Sequence, residues 1–300
     1  MNVFITGASG YIGGSIAARL IELGHEVLGL VRTEQRAREI AAPGLEPVVG
    51  DLSDSSVLVH AVRRADAVIN AANSDHRPSV DAMLDTMRGS GKTFIQSSGT
   101  SIVADLADGE HAGPVHDETT PVHPLPLRAG RVALNDSVLA ASGHGIRGIV
   151  VCPSLIYGEG HGLHRDSIQI PWLMDLARKH KAGRHVGPGR NVWSNVHIDD
   201  LVDMYVAVLQ HAPTGALYYA ENGENSMLEA AAAVSRALGF GGITQAMTVD
   251  EAVAVWGEGP ARYTMGSNSR VRAVRARREL GWLPVRPSLL QYIESTGSVP

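Results

Sequence analysis

The chain opens on the run Val3-Phe4-Ile5-Thr6-Gly7-Ala8-Ser9-Gly10-Tyr11-Ile12-Gly13-Gly14. Its apolar start predicts a buried strand, and the apolar residues that follow at helical spacing predict an amphipathic helix over residues 12–23. Glycines between a strand and a helix let a ligand approach the backbone closely, because they have no Cβ atom. The N–H groups and dipole of a helix N-terminus attract a negatively charged pyrophosphate. The run therefore predicts a dinucleotide-binding turn.

Short apolar segments alternate with helical patterns through the first half of the chain. They lie at residues 3–5, 26–31, 46–49, 67–71, 93–96 and 149–151. This alternation is typical of α/β proteins with a doubly wound parallel sheet, the Rossmann fold. Because the ends of parallel strands meet at one sheet edge, we expect one crevice to be formed by Gly7, Arg32, Asp51, Ala71 and Ser98.

The second half of the chain has weaker periodicity and predicts a second lobe. We expect residues 1–157 to form the nucleotide-binding domain, with residues 192–215 returning to it. Residues 158–191 and 216–300 are expected to form a smaller, mostly helical substrate-binding lobe. No long linker separates the two parts, so the substrate cleft should lie between them.

Charge and composition exclude several classes of protein. The formal net charge is −5, whereas nucleic-acid-binding proteins usually carry a basic surface. One arginine cluster, at residues 270–278, is interpreted as a solvated helix face. No run of roughly twenty apolar residues is present, and the chain begins with a strand rather than a signal peptide. We therefore expect a cytoplasmic protein that binds neither nucleic acid nor a membrane.

Thiol and metal chemistry are not indicated either. Cys152 is the single cysteine and lies in an apolar strand, which favours a buried, unreactive thiol. The histidine pairs His161 with His164 and His111 with His116 lack a third ligand at useful spacing. No metal site is expected.

Six motifs together resemble the NAD(P)-dependent epimerase/dehydratase family, the extended or atypical branch of the short-chain dehydrogenase/reductase superfamily. They are Thr6-Gly7-Ala8-Ser9-Gly10-Tyr11-Ile12-Gly13, Gly50-Asp51-Leu52, Asn70-Ala71-Ala72, Ser97-Ser98, Pro153-Ser154-Leu155-Ile156-Tyr157-Gly158 and Val196-His197-Ile198-Asp199-Asp200. They occur in the family's order and span about two thirds of the chain. The resemblance implies a small-molecule substrate and allows homodimers formed through helices that border the sheet, but it does not identify the substrate.

The resemblance also implies which residues contact a dinucleotide. The pyrophosphate would be bound by the glycine turn, Gly7, Ser9, Gly10, Tyr11, Ile12 and Gly13. Asp51 and Leu52 would lie at the adenine, Ala71 and Ala72 at the ribose, and Pro153 and Leu155 at the nicotinamide. For Asp51, a helix N-cap before Ser53 is the alternative.

The end of the second strand bears on the choice between NADP and NAD. An NAD site usually has an acidic residue there, which accepts a hydrogen bond from the ribose 2′-OH. This chain has Arg32 instead, with Arg36 one helical turn further on, and guanidinium groups suit a 2′-phosphate. NADP is therefore expected over NAD. A surface charge unrelated to the cofactor is the alternative for Arg32.

The family's catalytic Tyr-x-x-x-Lys pair is missing from the chain. If Asp136 occupies the family's acidic position, Arg128 stands at the tyrosine and Val132 at the lysine. An arginine is too basic to donate protons near pH 7, but it can stabilise an oxyanion or bind an anionic substrate group. The alternative for Arg128 is an ion pair at the helix start.

Ser98 remains as a candidate catalytic hydroxyl just past the fifth strand. It can bond a substrate oxygen, with a structural strand-end hydroxyl as the alternative and Thr100 as the candidate in a shifted register. Proton-donor candidates are Tyr157, His76, His161 and His164, although each is more readily explained as a loop or packing residue. Relatives line their cleft with the loop that holds Arg190 and Trp193 here, which makes these two candidate substrate contacts.

Three functions remain open. The first is an NADP(H)-dependent oxidoreductase that transfers hydride to or from a small carbonyl or alcohol, with Ser98, Arg128 and Tyr157 as catalytic candidates. The second is an epimerase or dehydratase that regenerates its bound cofactor, for which no base is evident. The third is a cofactor-binding sensor that has lost the chemistry, which the missing tyrosine and lysine favour.

Overall fold

The computed structural model describes residues 1–111 and 113–296. Its strands are β1 (Asn2–Thr6), β2 (Glu26–Val31), β3 (Leu45–Val49), β4 (Ala67–Asn70), β5 (Thr93–Ser97), β6 (Arg147–Pro153), β7 (Leu155–Tyr157), β8 (Gly183–Val186), β9 (Val192–His197), β10 (Ala216–Ala220), β11 (Glu224–Ser226) and β12 (Thr244–Met247). Its helices are α1 (Tyr11–Glu22), α2 (Glu34–Ile40), α3 (Ser55–Arg64), α4 (Arg77–Met87), α5 (Pro126–Ala140), α6 (Gln169–His180), α7 (Ile198–His211), α8 (Met227–Ala237), α9 (Val249–Trp256), α10 (Glu258–Pro260), α11 (Val274–Leu280) and α12 (Leu289–Thr296). No helix in these described ranges is both long and apolar enough to cross a membrane.

Seven parallel strands form the central sheet, in the order β10-β6-β5-β4-β1-β2-β3. The central strand β1 is buried on both faces: Ile5 packs into one core cluster and Phe4 into the other. Helices cover the two faces because each face of such a sheet is apolar. The predicted doubly wound α/β fold is confirmed.

The seventh strand was not anticipated. Residues 216–300 were expected in the second lobe, but β10 pairs with β6 in the main sheet, with Ala216 opposite Ile149. Its five residues are an apolar run like those of the other strands, and such a short run cannot be distinguished from part of a buried helix by periodicity alone. The last four residues of the predicted lobe, 297–300, lie outside the described residues.

The C-terminal part of the chain is mainly helical and has its own core. Side chains from α6, α8 and α12 pack together there, among them Leu173, Val234 and Ile293. Two small sheets, β7-β9-β11 and β8-β12, accompany these helices. This part of the chain therefore contains more strand than was predicted.

Helix α7 follows β9 and packs on the same core face as α1. Its N-cap is His197, whose ring nitrogen Nδ1 accepts from the Asp199 N–H at 3.2 Å. Asp200 is buried and accepts from the N–H groups of Val285 and Arg286, at 2.9 and 3.2 Å. Asp200 therefore anchors the C-terminal segment against α7.

Candidate cofactor crevice and active site

The glycine turn lies between the ends of β1 and β4, where added side chains would not fit. Gly7 has a φ of +74°, and a Cβ atom on it would lie 2.8 Å from the Ala71 carbonyl oxygen. A Cβ atom on Gly13 would lie 2.4 Å from the Gly7 carbonyl oxygen. Helix α1 starts after Gly10, and no side chain caps its N-terminus. A compact turn before an uncapped helix start fits a dinucleotide pyrophosphate.

The three other residues of the turn, Ser9, Tyr11 and Ile12, differ in whether their side chains are free to contact a phosphate. The Tyr11 hydroxyl donates to the Gly158 carbonyl at 2.8 Å, and Ile12 packs against the core. The Ser9 hydroxyl has no hydrogen-bond partner among residues 1–111 and 113–296. Ser9 is thus the one side chain of the three that is available to a ligand.

Arg32 follows β2 directly and is exposed. It lies near Asp51, since its charge contributes to a lowered pKa of that carboxyl group; the larger cause is the hydrogen bond from the Ser53 N–H at 2.9 Å. The α3 N-cap is Asp54, so Asp51 does not serve as the cap. Leu52 packs at the edge of the core beside it. Arg32 and Asp51 therefore share one end of the crevice.

The Arg36 side chain is engaged within its own helix. Its guanidinium bonds Glu39 within α2, at 2.7 Å from Nη1 to Oε2. Of the two predicted phosphate-binding arginines, only Arg32 has no ion pair within the part of the chain that the structure describes.

A row of buried polar side chains crosses the strand ends beneath the crevice. The Thr6 hydroxyl donates to Asn70 Oδ1, and Asn70 Nδ2 donates to Gln96 Oε1 at 2.8 Å. The Ala72 N–H also bonds the Thr6 hydroxyl, at 3.3 Å. These bonds join β1, β4 and β5 and hold Ala71 and Ala72 against the glycine turn. These bonds were not predicted from the sequence, although polar residues at the ends of apolar strands were a usable signal.

Ser98 lies half-buried at the end of β5, where two other elements meet it. Asn135 of α5 donates to the Ser98 hydroxyl oxygen at 2.9 Å. A Cβ atom on the next residue, Gly99, would lie 3.7 Å from Arg131 Nη1 and 3.9 Å from the Pro153 carbonyl oxygen. Strand β5, helix α5 and the end of β6 thus converge on Ser98.

Two arginines of α5 differ in their partners. Arg131 forms a double ion pair with Asp75, 2.8 Å from Nε to Oδ1 and 2.5 Å from Nη2 to Oδ2. Arg128 is half-buried, and its buried Nε has no hydrogen-bond partner in the described ranges. Burial and the nearby Arg131 charge lower the pKa of Arg128. Arg128 is the cation left available to a ligand.

Arg131 and Asn135 were missed by the sequence analysis. Residues 128, 131 and 135 are three and four positions apart, so they lie on one helix face. Once Arg128 was a candidate, this spacing could have found the other two. Val132, at the family's lysine position, packs instead against the core.

The predicted proton donors are held in structural contacts. Tyr157 is fully buried, and its hydroxyl donates to the Pro287 carbonyl at 2.7 Å. Burial raises the pKa of Tyr157. These observations speak against Tyr157 as a catalytic acid. Among the histidines, His76 caps α4, and His161 bonds Asp199 at 2.6 Å.

Four further residues were predicted to contact the cofactor or the substrate. Pro153 ends β6 near Gly99, but the Leu155 side chain is buried in the core of the second lobe, so only its backbone can reach a cofactor. Trp193 is buried and donates to the Ser267 carbonyl, while Arg190 is exposed and pairs with Glu110 at 3.7 Å.

Other chemistries find no support in the described residues. Cys152 is buried, and burial raises the pKa of its thiol to about 12, which leaves it protonated and unreactive. No group of three or more His, Cys, Asp or Glu side chains in residues 1–111 and 113–296 could hold a metal ion.

Comparison with known proteins assigns the family. The model of the NAD-dependent epimerase/dehydratase family matches residues 3–219. The chain belongs to this family. This family member is similar to an oxidase, ucsJ, from an Acremonium species. The two are 32% identical over an alignment of 337 positions, which covers 97% of this chain and 95% of the oxidase.

Another family relative and a solved structure add detail. A 4-hydroxy-2-methyl-3-oxo-4-farnesyl-3,4-dihydroquinoline-1-oxide ketoreductase from Stigmatella aurantiaca is 29% identical, over 74% of this chain and 69% of the ketoreductase. The dTDP-glucose 4,6-dehydratase of Bacillus anthracis, solved with NAD, superposes with a TM-score of 0.78 at 19% identity and covers 99% of this chain and 95% of its own. At that identity the superposition establishes the fold only. The family assignment makes the chain an NAD(P)-dependent enzyme.

Proposed function

We propose that this enzyme is an NADP(H)-dependent oxidoreductase that interconverts a small carbonyl compound and its alcohol. The observation that carries the proposal is the position of Ser98, whose hydroxyl oxygen accepts from Asn135 on the α5 face that also carries Arg128. A named ketoreductase among the relatives agrees with this chemistry. The nicotinamide, when bound, supplies or accepts a hydride.

Ser98 would bind the oxygen of the substrate. Its oxygen accepts from Asn135 Nδ2, and its hydroxyl also lies at the Cys152 thiol, from which its hydrogen would turn to donate to a substrate carbonyl. Arg128 would stabilise the negative charge that develops on that oxygen as the carbonyl is reduced, since its Nε has no other partner among the described residues. Arg131 would keep Asp75 in place rather than bind substrate, because its charge is already paired.

We infer a preference for NADP over NAD from the end of β2. Arg32 is exposed beside Asp51 and carries no ion pair in residues 1–111 and 113–296, so its guanidinium is free to bind a 2′-phosphate. Location in the cytoplasm and assembly into homodimers through helices bordering the sheet stay predictions.

A turnover assay tests the proposal. NADPH oxidation is followed with a panel of aldehydes, ketones and enones, and Ser98→Ala is expected to lower kcat about 100-fold or more with unchanged NADPH affinity. The matched control is Ser101→Ala, which removes a neighbouring hydroxyl that bonds Arg131 at 3.2 Å. Tight NADPH binding without turnover of any compound would contradict the proposal and favour a cofactor-binding sensor.

A further inference from the structure

Asp75 lies on the loop that follows β4, four residues beyond Ala71. This loop begins beside the glycine turn, because a Cβ atom on Gly7 would lie 2.8 Å from the Ala71 carbonyl oxygen. The Asp75 N–H donates to Asn73 Oδ1 at 2.9 Å, and the next residue, His76, caps α4. The backbone of Asp75 is therefore held in place on both sides, at the wall of the cofactor crevice.

Arg131 of α5 orients the Asp75 carboxylate. Its Nε and Nη2 donate to the two carboxylate oxygens, at 2.8 and 2.5 Å. These bonds are the main cause that lowers the pKa of Asp75, so the carboxyl group is ionised at neutral pH. The guanidinium is thus bound side-on, by two parallel hydrogen bonds.

The Asp75 carboxylate keeps acceptor sites for a ligand. Its side chain is 48% exposed, whereas the Arg131 side chain is 13% exposed. Each carboxylate oxygen has two lone pairs, and the guanidinium occupies one on each. No other group in residues 1–111 and 113–296 bonds this carboxylate. Asp75 is therefore a fixed, charged acceptor with free lone pairs.

The strand order places Asp75 and Arg131 in the middle of the crevice. In the central sheet β4 and β5 stand between β1, which leads into the glycine turn, and β6. Neighbouring strands are about 4.8 Å apart, so β1 and β6 are separated by about 14 Å. Asp75 follows β4, and Arg131 Nη1 lies 3.7 Å from the Cβ position of Gly99, just past β5.

A dinucleotide bound along this edge of the sheet would place its parts in the same order. Its pyrophosphate would lie at the start of α1, beside β1. Its nicotinamide would lie near Ser98 and Pro153, at the ends of β5 and β6. The ribose that joins these two parts would then pass the end of β4, where Asp75 lies. Ribose has two neighbouring hydroxyl groups, and both can donate to a carboxylate.

We propose that Asp75 binds the ribose hydroxyl groups at the nicotinamide end of the dinucleotide, and that Arg131 is the positioning residue that orients its carboxylate. The inference uses the dinucleotide binding of the family and does not depend on the proposed carbonyl chemistry. A ribose held at Asp75 would also determine how far the nicotinamide reaches toward Ser98.

Three nucleotides separate a contact with this ribose from a bracing role of the pair in the loop. ADP contains the adenosine and the pyrophosphate, ADP-ribose adds the second ribose, and NADPH adds the nicotinamide and the 2′-phosphate. Calorimetric titration measures the three dissociation constants without turnover. The wild type should bind ADP-ribose more tightly than ADP. Asp75→Asn should weaken binding of ADP-ribose and NADPH about tenfold to a hundredfold and leave ADP affinity unchanged.

Three further variants complete the test. Arg131→Gln should give the same pattern with a smaller loss, because the carboxylate remains but is no longer oriented. Asp75→Glu keeps a carboxylate beside Arg131 and should recover part of the ADP-ribose affinity. The matched control is Asp81→Asn, which removes an exposed carboxylate that pairs with Arg77 within α4 at 3.6 Å. It should leave all three affinities unchanged.

Several results would overturn the inference. Equal losses of ADP and ADP-ribose affinity in Asp75→Asn would show that the pair only braces the loop against α5. Unchanged ADP-ribose affinity in Asp75→Asn would show that the carboxylate does not meet the ribose. A wild type that binds none of the three nucleotides would remove the crevice on which the inference depends. A wild type that binds them but reduces no carbonyl overturns the proposed function alone.

Discussion

Gly13 and Gly130 give opposite predictions for the same substitution. A Cβ atom on Gly13 would lie 2.4 Å from the Gly7 carbonyl oxygen, so Gly13→Ala must shift the glycine turn. Such a shift costs about 1–3 kcal/mol, and NADPH affinity should fall about tenfold or more in a fluorescence titration. Gly130 is exposed within α5 with no atom near its Cβ position, so Gly130→Ala should stabilise the protein by up to about 1 kcal/mol and leave affinity unchanged. Unchanged affinity in Gly13→Ala would show that the turn does not bind the pyrophosphate.

Arg32 should determine the choice of cofactor. Arg32→Ala is expected to weaken NADPH binding about tenfold to a hundredfold, because a hydrogen bond to a charged group contributes about 1.5–3 kcal/mol, and to leave NADH binding unchanged. Calorimetric titration with both nucleotides measures the difference. Arg36→Ala is the matched control, since its guanidinium is engaged by Glu39. If Arg36→Ala has the larger effect, the phosphate is bound by α2 instead.

Single residues were predictable where their role depends on neighbours in sequence. The glycine turn, Arg32 and Ser98 each follow a strand, and a strand end is a local signal. Asn135 and Arg131 contact Ser98 and Asp75, which lie 37 and 56 positions away. No local pattern reports such contacts, so a sequence can suggest the helix face but not its partners.

At the level of elements, β2 was predicted with its observed bounds and five other strands to within a few residues, because buried parallel strands are continuous apolar runs. The prediction was wrong for β10, whose similar run follows α7 without a repeating strand and helix pattern.

The capping box of α8 offers a test at this scale. Ser226 bonds the Glu229 N–H at 3.2 Å, and Glu229 returns a bond to the Ser226 N–H at 2.8 Å. Ser226→Ala leaves N–H groups at the helix start without partners and should lower the free energy of unfolding by about 1 kcal/mol in a denaturant titration. Ser295→Ala, which loses a bond within the last turn of α12, is the control and should have a smaller effect. Equal losses would mean that the box does not stabilise α8.

The fold of the whole molecule could be predicted from the sequence, but the contact between the second lobe and the loop after β5 could not. The order of strands follows from their alternation with helices. The contact of residues 262–269 with the loop after β5 joins segments more than 150 positions apart, such as Ser269 and Thr100. Only the folded chain shows that contact.

The joint between the second lobe and the main sheet should also depend on pH. Glu224 of β11 bonds Arg270 at 2.7 Å and Arg272 at 3.1 Å, and Val271 between them packs into the core of the main sheet. The hydrogen bonds from Arg270 are the main cause that lowers the pKa of Glu224 to about 2 from its usual 4.5.

A carboxyl group with a lowered pKa stabilises the folded state above its unfolded pKa, and this stability is lost as the pH falls through the folded value. The wild type should therefore exceed Glu224→Gln in free energy of unfolding by about 1 kcal/mol near neutral pH, a figure reduced for solvent screening. The difference should shrink between pH 4.5 and about 2. Urea unfolding at several pH values measures it, with Glu46→Gln, which removes an exposed pair with Arg64, as the control. A difference between wild type and Glu224→Gln that stays constant from pH 7 to pH 2 would show that this carboxylate does not hold the two parts together.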